Sequence, residues 1–130
     1  MSRSVDDLVA AARTHIERVG PSGLAEFLGP DGLLVDIRPA AQRAEEGDFP
    51  DAIVIERNVL EWRLDPAGAH RIADVRGLDQ PVVVVCSEGY ASSLAAASLA
   101  ELGFRRVADL AGGFRAWARW SQSPPSTVGG

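Results

Sequence analysis

Residues 82–92 read V-V-V-V-C-S-E-G-Y-A-S, and this stretch decides the fold class of the chain. The run of four valines after Pro81 predicts a strand buried on both faces of a sheet. The small-residue segment that follows, residues 93–102, predicts a helix that ends at Gly103. Cys86, the single cysteine of the sequence, therefore lies where a strand ends and a tight loop leads into a helix N-terminus.

This position of Cys86 is favourable for a nucleophilic thiolate. Backbone N–H groups converge at such a loop and the helix dipole favours negative charge there, so a thiolate would be stabilised. A cysteine at the end of an apolar strand is also commonly a small buried hydrophobe. The local pattern leaves both interpretations open, and the rest of the chain has to separate them.

The composition narrows the class of protein. With 130 residues and a mass of 13.8 kDa, the chain is long enough for one hydrophobic core. A net charge of −5 argues against binding to nucleic acid or an anionic membrane, because both need a cationic surface. No apolar run approaches the roughly 18 residues that span a bilayer, and the start lacks a signal-peptide pattern, so we expect a cytoplasmic protein. All thirteen basic residues are arginine, which excludes a catalytic lysine.

Predicted helices and strands alternate along the chain. Residues 4–19 carry an apolar stripe at helical spacing behind a capping-box pattern, which predicts a long N-terminal helix. Strands are predicted near residues 33–35, 52–55, 82–85 and 107–110, with a last helix ending near Trp120. This alternation predicts an α/β fold, a parallel sheet flanked by helices on both faces with an added N-terminal helix. Ligands bind beyond the carboxyl ends of such strands, where Arg38 and Cys86 are both expected.

Three further pieces of sequence resemble the rhodanese family of sulfurtransferase domains. Residues 34–38, L-V-D-I-R, are similar to a family strand that ends in D-x-R. Residues 46–55, E-G-D-F-P-D-A-I-V-I, are similar to the element G-H-I-P-G-A-x-x-I. Residues 109–117, D-L-A-G-G-F-R-A-W, resemble D-x-x-G-G-F-x-x-W. Cys86 falls between the second and third pieces, where the family keeps its nucleophile.

The resemblance implies a single rhodanese-like domain at residues 31–120. Residues 1–30 would form an N-terminal helical segment packed on it, and residues 121–130, rich in Ser, Pro and Gly, would form a disordered tail. The implied activity is sulfur transfer, in which the Cys86 thiolate takes up a sulfur atom as a persulfide and passes it to a thiol or to cyanide. This chemistry needs no metal and no cofactor. The expected partners are a small sulfur donor and a thiol acceptor, either a small molecule or a protein.

The loop after Cys86 departs from the basic pattern C-R-x-G-x-R that many family members use to hold thiosulfate. Ser87 and Ala91 replace its two arginines, and Glu88 adds a negative charge. Two unit charges ~4 Å apart interact by about 4 kcal/mol at an effective dielectric near 20. We therefore expect thiosulfate to be a poor donor and a persulfide to be a better one. The expected substrate-binding loop comprises Ser87, Glu88, Gly89, Tyr90, Ala91 and Ser92.

Positive charge for this site has to come from outside the loop. Arg38 is the candidate anion-binding residue, and a structural role beside Asp36 is the open alternative. Further candidates are Arg57, Arg63 and Arg115, each of which can also be an ordinary surface arginine. Glu46 is expected to be a solvated charge.

Three other functions have to be weighed against sulfur transfer. A cysteine phosphatase or arsenate reductase needs an arginine six positions after its cysteine, and Ser92 stands there, which argues against both. A non-catalytic rhodanese-like module that binds a partner protein is favoured by the loss of the basic loop residues. A sulfide or redox sensor would use the same cysteine, but the sequence offers no second cysteine to resolve its oxidised form.

Overall fold

A computed structural model describes residues 2–123 of the chain. The helices are α1 (Val5–Arg13), α2 (Leu24–Leu28), α3 (Ala40–Glu46), α4 (Leu60–Leu64), α5 (Ala91–Leu102) and α6 (Gly113–Gln122). The strands are β1 (Glu17–Val19), β2 (Leu33–Asp36), β3 (Ile53–Val54), β4 (Val82–Val85) and β5 (Val107–Leu110). Short 3-10 turns, Pro21–Gly23 and Arg57–Val59, lead into α2 and α4.

The five strands form one parallel sheet in the order β1-β5-β4-β2-β3. The predicted α/β class with a parallel sheet is thereby confirmed. In the register of the sheet, Val85 pairs with Asp36 and Val84 pairs with Asp109, so the carboxyl ends of β2, β4 and β5 lie side by side. Cys86 follows β4 directly, and the sheet therefore presents it at the edge where parallel sheets bind their ligands.

Strand β4 is the centre of the core. Its four valines have no exposed surface. The first and third pack in one cluster with Leu99 of α5, whereas the second and fourth pack in a second cluster with Phe114 of α6. Alternation along a strand sends successive side chains to opposite faces, so helices cover both faces of the sheet as predicted. Burial of each valine contributes on the order of 1.5–3 kcal/mol of transfer free energy.

The helix predicted for residues 4–19 is wrong in its second half. Helix α1 ends at Arg13, and residues 17–19 form strand β1, which pairs in parallel with β5. The apolar residue Val19 closes the second core cluster from the sheet rather than from a helix. Without β1, the outer backbone groups of β5 would lack partners, and this need outweighs the helical spacing of the sequence.

The last helix runs slightly further than predicted, to Gln122 instead of Trp120. Most of the tail that the sequence predicts to be disordered, residues 124–130, lies outside the described residues. Between residues 2 and 123, no helix has the length and apolar character needed to cross a membrane.

Candidate active site

The thiol of Cys86 accepts hydrogen bonds from two backbone N–H groups of the loop that follows β4. Its Sγ lies 3.2 Å from the nitrogen of Gly89 and 3.3 Å from the nitrogen of Ser92. Cys86 keeps 8 % of its surface exposed, whereas the valine before it keeps none. Two N–H donors directed at one sulfur stabilise a thiolate or a persulfide anion at this nearly buried side chain. The geometry predicted for the cysteine loop, residues 86–92, is present.

Two glycines allow this loop to close. Gly89 has a φ of 91°, and a Cβ built on it would lie 2.8 Å from the nitrogen of Gly112. Gly113 has a φ of 65°, and a Cβ there would lie 2.5 Å from the carbonyl oxygen of Cys86. The next residue, Phe114, donates its N–H to that same oxygen at 2.8 Å. The Gly-Gly turn before α6 therefore forms the floor of the cysteine loop.

The other motif pieces meet beside this floor. The ring of Phe49 packs edge-on against Phe114, with centroids 5.6 Å apart, and against Trp117 at 4.3 Å. The guanidinium of Arg38 lies 4.0 Å from the centroid of the Phe114 ring. Three stretches that are far apart in sequence thus converge on one aromatic cluster next to Cys86.

Similarity to known proteins identifies the family of the chain. The family model of the rhodanese-like domain matches residues 21–119. The chain belongs to the rhodanese-like domain family. It is 32% identical to thiosulfate sulfurtransferase GlpE of Pseudomonas savastanoi pv. phaseolicola, over 90% of this chain and 99% of the relative. It is 37% identical to a sulfurtransferase of Allochromatium vinosum, over 68% of this chain and 74% of the relative.

Solved structures show the same fold. A protein of unknown function from Rhodopseudomonas palustris CGA009, described as a possible tyrosine phosphatase, matches with a TM-score of 0.81 and 28% identity over 95% of both chains. A thiosulfate sulfurtransferase from Pseudomonas aeruginosa matches with a TM-score of 0.63 and 23% identity, over 82% of this chain and 18% of that one. In this rhodanese-like domain, residue 92 is serine where a cysteine phosphatase needs arginine.

Arg38 has the structural role in this rhodanese-like domain. Only 1 % of it is exposed, and its guanidinium donates to Asp36 at 2.7 Å, to Glu46 at 3.1 Å and to the carbonyl of Gly47 at 2.9 Å. Burial by itself would lower the pKa of Arg38, but the hydrogen bonds with the two carboxylates raise it, so the group stays charged. Because its donors are engaged by the protein, Arg38 is not available as an anion-binding residue in this conformation.

The loop residues divide by exposure. Glu88, Tyr90 and Ala91 are exposed and border Cys86, whereas Ser87, Gly89 and Ser92 are buried. Of the three further arginines considered from the sequence, Arg115 reaches the loop, with Nη1 3.4 Å from a carboxylate oxygen of Glu88. Arg57 pairs with Glu61, and Arg63 donates to the carbonyl of His70.

Glu46 is an integral part of the site, and the expectation that it is solvated is wrong. Its side chain is 11 % exposed. One carboxylate oxygen accepts from Arg38 at 3.1 Å and from the hydroxyl of Ser87 at 2.9 Å, and the other accepts from Arg115 at 2.8 Å. The carboxylate therefore ties the cysteine loop to α3 and α6. Tertiary packing brings the partners on the loop and on α6 to this carboxylate, so its sequence neighbour Glu45 gives no hint of this role.

Glu46→Gln should lower stability at neutral pH by about 1 kcal/mol, because the amide loses charge-assisted hydrogen bonds. Burial would raise the pKa of Glu46, but hydrogen bonds from Arg115, Ser87 and Arg38 outweigh burial and hold the pKa below its ordinary value of 4.5. The stabilisation is therefore present above that value and is lost as the pH falls through the lowered pKa. Urea unfolding at pH 7 and at successively lower pH should show the wild-type advantage shrinking with acid. The exposed neighbour Glu45→Gln is the control, and a pH-independent difference would contradict the assignment.

Three residues that the sequence did not select as candidates also contact the loop. Arg13 and Arg18 both donate to the carbonyl of Gly89, at 2.9 Å and 2.8 Å. Asp109, which has no exposed surface, accepts hydrogen bonds from the hydroxyls of Ser92 and Ser93, both at 2.8 Å. Asp109 could have been found from its place in the third motif piece. The two arginines are 71 or more residues away from the loop, and no spacing rule connects them to it.

Proposed function

We propose that this protein is a sulfurtransferase that carries sulfane sulfur as a persulfide on Cys86, taking it from a persulfide-type donor and passing it to a thiol acceptor. The observation that carries the proposal is the pair of N–H groups, of Gly89 and Ser92, directed at the sulfur of a residue that keeps 8 % of its surface exposed. These donors serve the thiolate before the reaction and the negative outer sulfur after it. Membership of the rhodanese-like family and the names of the curated relatives support the reaction class.

Both half-reactions are nucleophilic displacements at sulfur. In the first, the Cys86 thiolate attacks the outer sulfur of R–S–SH, the donor S–S bond breaks, and R–S⁻ leaves with the electron pair. In the second, an acceptor thiolate attacks the outer sulfur of the Cys86 persulfide, and the Cys86 thiolate leaves. The outer sulfur moves at an unchanged oxidation level, so no outside oxidant or reductant is required, and the Cys86 persulfide becomes an anion when it releases its proton to the buffer. Since the sequence contains no second cysteine, the acceptor is an external thiol, of a small molecule or of another protein.

The charges around the loop support a persulfide over thiosulfate as the donor. The carboxylate of Glu88 is 60 % exposed at the loop, and the nearby Arg115 is already paired with Glu46 as well as with Glu88. Among residues 2–123, no arginine donates a hydrogen bond to the sulfur of Cys86, whose donors are both backbone N–H groups. Arg13 and Arg18 also donate to the carbonyl of Gly89, so a dianion would meet the Glu88 carboxylate while the nearby guanidinium groups are already engaged. The Pseudomonas relatives are named for thiosulfate, and the proposal predicts that this chain differs from them in donor preference.

Intact mass spectrometry tests the proposal. After incubation with glutathione persulfide and removal of the donor, the wild-type protein should gain the mass of one sulfur atom on Cys86. The added mass should persist in buffer and disappear when glutathione or cyanide is supplied. Protein alkylated at Cys86 is the control and should gain nothing. Prompt alkylation without any persulfide formation would reject the proposal in favour of a module that binds a partner protein.

Glu88→Arg should improve the use of thiosulfate, with a KM for the dianion lower by about tenfold. The change replaces repulsion by attraction and also releases Arg115 from one of its two carboxylate partners. Steady-state thiosulfate:cyanide assays would measure it. Glu101→Arg at the opposite end of α5 makes the same change in net charge away from the loop and should leave KM unchanged. Equal KM values in all three proteins would show that loop charge does not select the donor.

A further inference from the structure

The carbonyl oxygen of Gly89 is held by donors from three other positions. Nη2 of Arg13 lies 2.9 Å from it, Nη2 of Arg18 lies 2.8 Å from it, and the hydroxyl of Ser93 lies 3.4 Å from it. A carbonyl oxygen has two lone pairs, so this acceptor is saturated by the two guanidinium groups. Both arginines come from the N-terminal segment, Arg13 from the end of α1 and Arg18 from β1.

The contact matters because Gly89 also supplies one of the two N–H donors to the sulfur. Glycine has the widest backbone freedom of any residue, and its φ of 91° here is one that side-chain-bearing residues rarely adopt. A loop built on such a residue does not fix its own N–H direction. Two charge-assisted hydrogen bonds to the neighbouring carbonyl supply the restraint that the glycine lacks.

The second N–H donor is anchored to the same network. Ser92 donates its N–H to the sulfur and its hydroxyl to Asp109 at 2.8 Å. Arg18 donates to the other carboxylate oxygen of Asp109 at 2.9 Å. Arg18 therefore bridges the Gly89 carbonyl and the carboxylate that holds Ser92. Both donors to Cys86 are thus held by side chains that do not themselves hydrogen-bond to the sulfur.

Charge is distributed unevenly across the loop. Arg13 has no carboxylate within 4 Å in the described part of the chain, and its guanidinium lies 5.6 Å from the centroid of the Tyr90 ring. Arg18 is neutralised by Asp109, so the inner side of the loop carries one surplus positive charge. The loop itself contains no arginine and carries Glu88. The N-terminal segment thus brings cationic groups to a loop that lacks its own.

We infer that Arg13 and Arg18 are positioning residues for Cys86, through which the α1–β1 segment orders the N–H donors of the cysteine loop. The expected effect on the rate of persulfide formation rests on the proposed function. The expected effect on the order of the loop does not. If the arginines order the loop, their loss should slow persulfide formation at saturating donor and leave the KM for an uncharged donor nearly unchanged. Loss of a residue that only stabilises the fold would instead lower the free energy of unfolding, without a fall in the saturating rate at constant KM.

Arg13→Gln is the cleanest variant, because Arg13 has no carboxylate partner that its loss would leave uncompensated. In this variant we expect hydrogen exchange of the Gly89 amide, measured by NMR, to accelerate by about tenfold. The rate constant of persulfide formation at saturating donor should fall by a similar factor. The double variant R13Q/R18Q should lose more than the product of the single effects, since both arginines hold one oxygen. If R18Q does not fold, Arg18→Lys is the substitute, because it keeps a positive charge beside Asp109. Lysine has one ammonium group instead of the planar guanidinium, so its rate of persulfide formation should fall by an intermediate amount.

Arg105→Gln is the matched control, because Arg105 is an exposed arginine paired with Asp79 away from the loop. It should leave both amide exchange and persulfide formation as in the wild type. Unchanged exchange at Gly89 and Ser92 in R13Q and R13Q/R18Q would overturn the inference, whatever the activity. If the wild-type protein forms no persulfide at all, the proposed function fails, and the exchange measurement still decides whether the arginines order the loop.

Discussion

Replacing Cys86 with serine is expected to abolish sulfur transfer while leaving the fold intact. Serine is a poor nucleophile without an activating base, and the two groups that contact the sulfur are N–H donors of Gly89 and Ser92, neither of which can take up a proton. The rate should fall by at least about 10³-fold, and no sulfur mass should be gained. Intact mass and a transfer assay to glutathione would measure both.

The stability of Cys86→Ser separates loss of chemistry from loss of structure. The serine hydroxyl can accept from the same two N–H groups, so the free energy of unfolding should change by less than about 1 kcal/mol. Cys86→Ala removes the acceptor and should cost more than Cys86→Ser in urea unfolding. Sulfur transfer retained by Cys86→Ser would show that the nucleophile lies elsewhere.

Gly113→Ala is expected to cost both stability and activity. The added Cβ would lie 2.5 Å from the carbonyl oxygen of Cys86 and 2.5 Å from two atoms of the Ser87 backbone, at a φ of 65°. Backbone on both sides would have to move, which we expect to lower the free energy of unfolding by about 3 kcal/mol. The movement would also displace the cysteine loop, so sulfur transfer should fall in the fraction that remains folded.

Gly77→Ala is the control for this substitution. A Cβ at Gly77 meets nothing within 4 Å, and the residue has no positive φ that would strain an alanine. Its stability should therefore match the wild type to within about 0.5 kcal/mol. Urea denaturation of the three proteins gives the comparison. Identical urea midpoints for Gly113→Ala and Gly77→Ala would show that the turn before α6 accommodates the added Cβ without loss of stability.

The geometry of the cysteine loop could be predicted from sequence because its interactions are local. Both N–H donors lie within six residues of Cys86, and the valine run places that residue at the end of a central strand. The position of Arg38 at the end of β2 was equally predictable. The direction of the Arg38 side chain was not predictable from sequence. It depends on hydrogen bonds to Glu46 and to the Gly47 carbonyl, which form only when α3 packs beside the loop.

The N-terminal segment shows the opposite case. Its capping box is local and is confirmed, with Ser4 and Asp7 exchanging hydrogen bonds of 3.0 and 3.1 Å. Its second half follows helical spacing and nevertheless forms β1. The edge of β5 lies about ninety residues later in the chain. It supplies the backbone hydrogen bonds that this segment would otherwise form within a helix.

The sequence by itself determined the candidate nucleophile, the parallel sheet that presents it and the absence of arginine from its loop, because each follows from neighbours in the chain. Only the tertiary structure decided which charges surround that loop. It engages Arg38 in the interior, places Glu46 and Arg115 at one side, and brings Arg13 and Arg18 onto the carbonyl of Gly89. The physical reason is the distance along the chain between interacting groups. Backbone conformation depends mostly on adjacent residues, whereas the partner of a long charged side chain depends on which elements pack next to it.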